Sequence, residues 1–217
     1  MDVAATIQLL SAAAIPVLFA ITLHEVSHGW VARYFGDSTA ERLGRLTANP
    51  LQHIDPWGSV AMPLLLAAVG LPPFGYAKPV PVNVQNLRRP KQQMVLVAAA
   101  GPASNLVMAL FWALVFALVV NVSVPIPGVR QFLLAMSQIG ITFNVLLAVF
   151  NLMPIPPLDG GRVLRGLLPE TLGRKLDGIE PYGLILVLGL LALGVLGQVV
   201  APLVTVVSSL FFQIARG

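Results

Sequence analysis

From residue 3 to residue 23 the chain carries no charged side chain, and this run ends directly on His24-Glu25-Val26-Ser27-His28. About 20 apolar residues are enough to cross a bilayer as a helix. Ionisable side chains inside such a span are costly and mark function by default. A helix over 3–35 is expected, stopped by Gly36-Asp37, with Pro16 as a kink point. Three further charge-free runs, 92–129, 131–158 and 181–215, are also long enough to span, so four transmembrane helices are expected.

Composition agrees. Hydrophobic residues make up 57% of the chain and charged residues 10%, with a mean hydropathy of +0.84, whereas about a quarter of residues are charged in an average soluble domain. The 217 residues suit a single membrane domain over 1–217, with a core over 3–168 and an accessory C-terminal helix over 181–215, and leave no room for a separate soluble module. There is no cysteine, so a metal would have to be held by His, Asp or Glu. The net charge of +4 does not point to nucleic acid, because the basic residues lie mostly in loops between apolar runs, where positive-inside topology accounts for them. The first residues lack a basic stretch and a small-residue cleavage end, so the first span reads as a retained helix.

Segment 56–77 is uncharged but too short in strongly apolar residues for a full span, which suits a re-entrant element. Arg33, Arg42 and Arg45 precede it and Lys78, Arg88, Arg89 and Lys91 follow it, so both flanks are expected on the cytoplasmic side. Arg162, Arg165, Arg174 and Lys175 join them after two more crossings, which puts the motif end of the first helix near the cytoplasmic face. Around the re-entrant piece, 47–53 and 76–84 contain Pro50, Pro79 and Pro81 and read as extended. The expected fold is therefore an all-α polytopic membrane protein with about four full transmembrane helices and a re-entrant segment carrying short membrane-apposed β-strands. A count of five or six helices stays open.

On a helix, positions i and i+4 share a face, so His24 and His28 can ligate one zinc ion while Glu25 lies beside it as general base. Such an ion lowers the pKa of bound water from about 15.7 to roughly 7. Catalytic zinc usually takes three protein ligands. Candidates for the third are His53 and the acids Asp2, Asp37, Asp55, Asp159, Asp177, Glu41, Glu170 and Glu180. Asp159 stands out because it follows an apolar span within Asn151-Leu152-Met153-Pro154-Ile155-Pro156-Pro157-Leu158-Asp159-Gly160-Gly161, where prolines and glycines unwind the backbone. The competing role for Asp159 is an N-cap of the helix that follows.

HEVSH and NLMPIPPLDGG together resemble the two marks of the site-2 protease family of intramembrane zinc metalloproteases, an HExxH helix and a later N-x-x-P-x-P-x-L-D-G stretch. Ala100-Gly101-Pro102-Ala103-Ser104-Asn105 between them is similar to the family's A-G-P-x-x-N, and the stretches 49–58 and 75–83 look like those of the compact bacterial branch without an extra soluble domain. The resemblance implies one zinc ion per chain held by His24, His28 and Asp159, with Glu25 as the catalytic base. It also implies that Asn151, Pro154 and Pro156 bind an unwound substrate strand.

Asn151 is equally suited to a helix C-cap, and Asn105, a candidate substrate contact, to satisfying backbone freed by Pro102. His53 is either a regulatory ligand or substrate contact, or a loop histidine bonded to its own surroundings. The glycines of the last span, Gly189, Gly194 and Gly197, suit helix packing. The expected function is a zinc-dependent metalloendopeptidase acting on transmembrane segments of other proteins in a bacterial plasma membrane, with the bilayer as its surroundings and self-association open. A membrane zinc transporter and a non-catalytic binding module are the alternatives; the first has no need for a glutamate next to the first histidine, and the second would have lost a ligand or the base, whereas all four residues are kept here.

Overall fold

The computed structural model describes residues 3–70, 75–122 and 125–216. The first helix, α1 (Val3–Tyr34), is 32 residues long, about 48 Å at 1.5 Å per residue, which exceeds the roughly 30 Å of a hydrocarbon core. It ends where Gly36 takes φ +114, and the short α2 (Thr39–Arg42) follows. The Asp55 side chain then accepts from the Trp57 and Gly58 amides and starts π-helical turns over Pro56–Ala61 that run into α3 (Met62–Ala68).

Pro90 opens α4 (Pro90–Asn121) and Pro127 opens α5 (Pro127–Asn151), each at a position where its missing N–H costs nothing. Beyond them lie α6 (Asp159–Leu167), α7 (Glu170–Asp177), α8 (Gly183–Ala192) and α9 (Val195–Arg216). Among the described residues four helices are long and apolar enough to cross a membrane: Val3–Tyr34, Pro90–Asn121, Gly128–Asn151 and Val195–Ala215. The chain is an all-helical integral membrane protein.

Central α4 touches α1, α5, α6 and α9, and α5 also packs on α1 and α9. Where α4, α5 and α9 meet, Trp112, Ala113 and Phe116 pack with Ile141 and Ala215. Gly140 makes this possible, since a Cβ there would collide with the Trp112 ring. Outward-facing Leu9, Phe111, Leu114, Leu118, Leu203 and Leu210 are exposed, as expected of helices solvated by lipid rather than water. At the other end of the molecule, Arg165 binds Glu170 and Asp177 at 3.0 and 2.9 Å and fastens α6 to α7.

Several expectations change. The run 92–129 contains the end of α4 and the start of α5, so Arg130 lies in the first turns of α5 and not between spans. The last run is not one helix: Gly194 at φ +73, after Leu193, separates α8 from α9. No strand forms among the described residues; the segments expected as strands carry 3-10 turns at Pro50–Gln52 and Val84–Asn86, and the backbone between 76 and 83 bonds to loops and side chains instead of a ladder. Helix α3 with its π-helical lead-in is too short to cross, and the two ends of its excursion are joined: Tyr76 N–H donates to Gly58 O at 3.0 Å and Lys78 N–H to His53 O at 2.9 Å. Residues 71–74 of that excursion, and Asp2, lie outside the described residues.

Candidate active site

Helices α1 and α4 run antiparallel where they touch, because His24 meets Asn105 while His28 meets Val97. Val97, Gly101 and Asn105 follow one another at four-residue spacing and so share one face of α4. The His24 Nδ1 lies 2.6 Å from Asn105 Oδ1, and the His28 Nδ1 lies 2.7 Å from the Val97 carbonyl. Both partners are acceptors, so each Nδ1 carries the proton and each Nε2 keeps its lone pair.

Those two Nε2 atoms are 3.2 Å apart, and Asp159 Oδ2 lies 3.1 Å from one and 3.3 Å from the other. A tetrahedral ion with ligand bonds of 2.0–2.1 Å requires ligand atoms about 3.3 Å from one another. The triangle fits. Asp159 Oδ2 is buried with no hydrogen-bond partner, a state that costs free energy unless a cation compensates it. Burial alone would push the Asp159 carboxyl up, but the adjacent His24 and His28 hold it well below the usual carboxylate range, in the ionised form a metal ligand needs. Among the described residues these three form the group able to hold a metal ion.

Asp159 reaches the histidines because the 152–158 turn folds tightly over the start of α6. A Cβ on Gly161 would lie 2.6 Å from Pro156 N, and one on Gly160 would strike the Leu152 and Met153 carbonyls. Leu158, not Asp159, flanks α6, and Asp159 is its first helical residue, so the capping role considered for Asp159 is not the one it takes. Glu25 is partly buried on the same helix as the histidines, and its Oε2 accepts the Val80 N–H at 2.9 Å. Gly29 lets that loop come close: a Cβ there would be 2.8 Å from Val80 Cγ1. Downstream, the Asn83 N–H donates to Asp37 Oδ2 at 2.7 Å, and Asn86 Nδ2 to Asp37 Oδ1 at 2.9 Å.

Other expected residues fall elsewhere. Asn105 is fully buried, and its Nδ2 donates to Ala20 O and Asn144 Oδ1 at 3.1 and 3.0 Å; it stands behind His24 and positions it, where a substrate contact was expected. Pro156 is buried against Gly161 and Gly183, whereas Pro154 is exposed. Asn151 Nδ2 donates to Leu147 O at 3.0 Å, as a helix-terminal asparagine does. His53 is not brought to the metal triangle: its Nε2 lies 3.0 Å from Thr47 O, in its own loop. Asn144, which sequence reasoning passed over, donates to Gly140 O at 2.8 Å and orients Asn105. Its signal was a carboxamide inside an apolar span.

Residues 12–195 match peptidase family M50. The chain belongs to that family, the site-2 proteases, which are intramembrane zinc metalloproteases. It is 39% identical over 177 residues to YwhC of Bacillus subtilis, a protein named as a zinc metalloprotease, with 80% of this chain and 77% of that one covered. It is 34% identical to Rip2 of Mycolicibacterium smegmatis, over 80% of this chain and 64% of the relative, and 32% identical to Rip2 of Mycobacterium tuberculosis, over 79% and 62%. Both Rip2 proteins are named as zinc metalloproteases too. No solved structure matches the chain. The matched stretch contains all three corners of the buried triangle, His24, His28 and Asp159.

Proposed function

We propose that the chain is a metalloendopeptidase that hydrolyses peptide bonds in or beside transmembrane segments of other proteins, using one zinc ion held by His24, His28 and Asp159. The observation that carries this reading is the buried triangle of ligand atoms, 3.1–3.3 Å on a side, next to Glu25. Zinc bound there supplies a Lewis acid for the scissile carbonyl and makes water acidic enough to attack at neutral pH. Val97 and Asn105 fix the tautomer and tilt of the two imidazoles. Glu25 takes the proton from the attacking water and delivers it to the leaving amine. Asn151 and the exposed Pro154, in the stretch that leads to Asp159, are assigned in this reading to contact with an opened substrate strand.

The substrate must open because a helix hides its amides in hydrogen bonds to the fourth carbonyl back. The site faces the cytoplasm of a bacterial plasma membrane in this reading. Support comes from the basic residues at one end of the molecule: the end of α1, the start of α4 and the end of α6 meet there, through Arg88 N–H to Phe35 O, Arg45 Nη2 to Lys78 O and Lys91 Nζ to Leu168 O. His28 lies within about two helical turns of that end of α1.

The test compares membrane-protein fragments from cells making the wild-type chain with those from cells making Glu25→Gln. Fragments ending inside apolar segments should be present in the first and missing from the second, while zinc content stays the same. Unchanged fragments in the Glu25→Gln cells would overturn the mechanism.

A further inference from the structure

Helix α4 opens on three cations in four positions, Arg88, Arg89 and Lys91, around Pro90. Neighbouring acids are already taken: Arg33 holds Glu41 at 2.9 Å, Arg165 holds Glu170 and Asp177, and Thr39, Asn83 and Asn86 donate to Asp37. Among the described residues no hydrogen bond or ion pair engages the guanidinium of Arg88 or Arg89. Lys91 Nζ donates at 2.6 Å to a neutral group, the Leu168 carbonyl. The positive charge of this turn therefore has no carboxylate in contact with it among the described residues.

Arg89, Pro90, Lys91 and Gln92 line a shallow cavity of about 340 Å³, a size that takes a small ligand group. Its walls are held in place. Arg89 N–H donates to Gln93 Oε1 at 2.8 Å while Gln93 N–H donates to Arg89 O at 2.9 Å, and α6 packs against the same turn, where a Cβ on Gly166 would lie 3.1 Å from Lys91 O.

The depth of the cavity in the bilayer follows from the length of α4. Its 32 residues span about 48 Å, so about 9 Å projects past each face of a hydrocarbon layer of roughly 30 Å, into the headgroup zone. The first turn lies there, level with lipid phosphates. Below it the outward side of the helix is apolar: Leu96, Ala103, Val107, Leu110 and Leu114 are exposed, at spacings that keep them on one face. One leaflet, about 15 Å deep, corresponds to about ten helical residues, the distance from Leu96 to about Val107.

We propose that the cavity at Arg89 and Lys91 binds the headgroup phosphate of an anionic phospholipid, whose acyl chain lies along the Leu96, Ala103 and Val107 face of α4. The two cations meet the phosphate diester, and the apolar face covers the chain below it. A zwitterionic headgroup carries its own ammonium and gains less from a basic site. An acidic protein segment would satisfy the charges but leave the apolar face uncovered, so the observations favour the lipid.

The test uses the full chain in dodecyl maltoside micelles, with bound lipid counted by native mass spectrometry. Dioleoyl phosphatidylglycerol and dioleoyl phosphatidylcholine have the same acyl chains, so the difference between them isolates the headgroup. Wild type should retain the first and not the second, and retain it less at high salt. Arg89→Gln, whose side chain has no protein partner to lose, should weaken phosphatidylglycerol binding about fivefold, and Arg89→Gln with Lys91→Gln about 25-fold, at the weight of one surface cation per step. Arg174→Gln with Lys175→Gln takes the same charge from α7 and should leave binding unchanged. Zinc content should match wild type in every variant, since none of these residues is among the metal ligands, and this verifies the fold.

Equal phosphatidylglycerol binding in wild type and the Arg89–Lys91 double variant overturns the proposal. Equal losses in the two double variants overturn it as well, because the lipid would then be answering to net charge and not to the cavity. Full displacement by excess inorganic phosphate would assign the cavity to a free anion instead. The remaining contrary outcome is that phosphatidylglycerol fails to bind, while a synthetic apolar helix with a glutamate-rich flank binds wild type and not the Arg89–Lys91 variant; the surface would then belong to an acidic protein segment.

Discussion

Gly101 faces His28 so closely that a Cβ added to it would stand 2.6 Å from the ring Cε1, and equally 2.6 Å from Cε1 of His24. The absence of a side chain on α4 is what lets two imidazoles turn their Nε2 atoms toward one point. Gly101→Ala should therefore lower zinc affinity by about 10–100-fold and cost roughly 1–3 kcal/mol through overpacking. Gly197→Ala is the control: nothing lies within 4 Å of its added Cβ, so zinc binding should be unchanged. Zinc titration of the purified proteins in detergent checks both.

Asn105→Ala strips His24 Nδ1 of its acceptor and leaves Asn144 Oδ1 without its donor in a fully buried place. The expected loss is about 2–3 kcal/mol in stability and 10–100-fold in zinc affinity. Asn144→Leu should move both in the same direction but less, since the Asn105 amide keeps Ala20 O. Equal zinc affinity in Asn105→Ala and wild type would show that His24 does not depend on this contact.

Metal removal should loosen the whole molecule and not the site alone, because the ligands join α1 to the start of α6. A chelator should lower the thermal midpoint of the wild-type protein, as loss of any ligand specific for the folded state does. Asp159→Ala should already sit at the lowered midpoint and show no further response. Glu25→Gln should respond as wild type does.

The loop that carries Val80 should be sensitive to acid through Asp37. Burial alone would push the Asp37 carboxyl up, but donors from Thr39, Asn86 and the Asn83 and Thr39 backbone outweigh it and hold it below its ordinary value. A carboxyl depressed on folding contributes stability above its unfolded pKa of about 3.9, and that contribution is lost as pH falls through the lower folded value. Protection of the Asn83 amide from hydrogen exchange should hold above about pH 4 and fall off below it. In Asp37→Asn it should be low throughout.

Local geometry was the legible part. His24 and His28 share a face because of their spacing alone, and Asp159 was conspicuous because the prolines before it forbid helix. The end of α1 at Gly36-Asp37 was equally plain, although the role of Asp37 as anchor for Asn83 was not, since that depends on which loop folds over it. Val97 and Val80 act through backbone groups, which every residue but proline possesses, so no residue type could announce them. The break at Gly194 was hidden because the sequence on both sides of it is apolar and uncharged. The expected strands failed for a related reason: prolines excluded helix correctly, but extended backbone became sheet-like only on one edge, with loops and a carboxylate as its partners.

The metal triangle draws its corners from the first long helix and from a residue reached only after two more long helices have been made. Chains emerge from the ribosome N-terminus first. A nascent polypeptide therefore carries His24, Glu25 and His28 into the bilayer well before Asp159 exists, and the three-cornered group able to hold a metal is complete only when the start of α6 has been made.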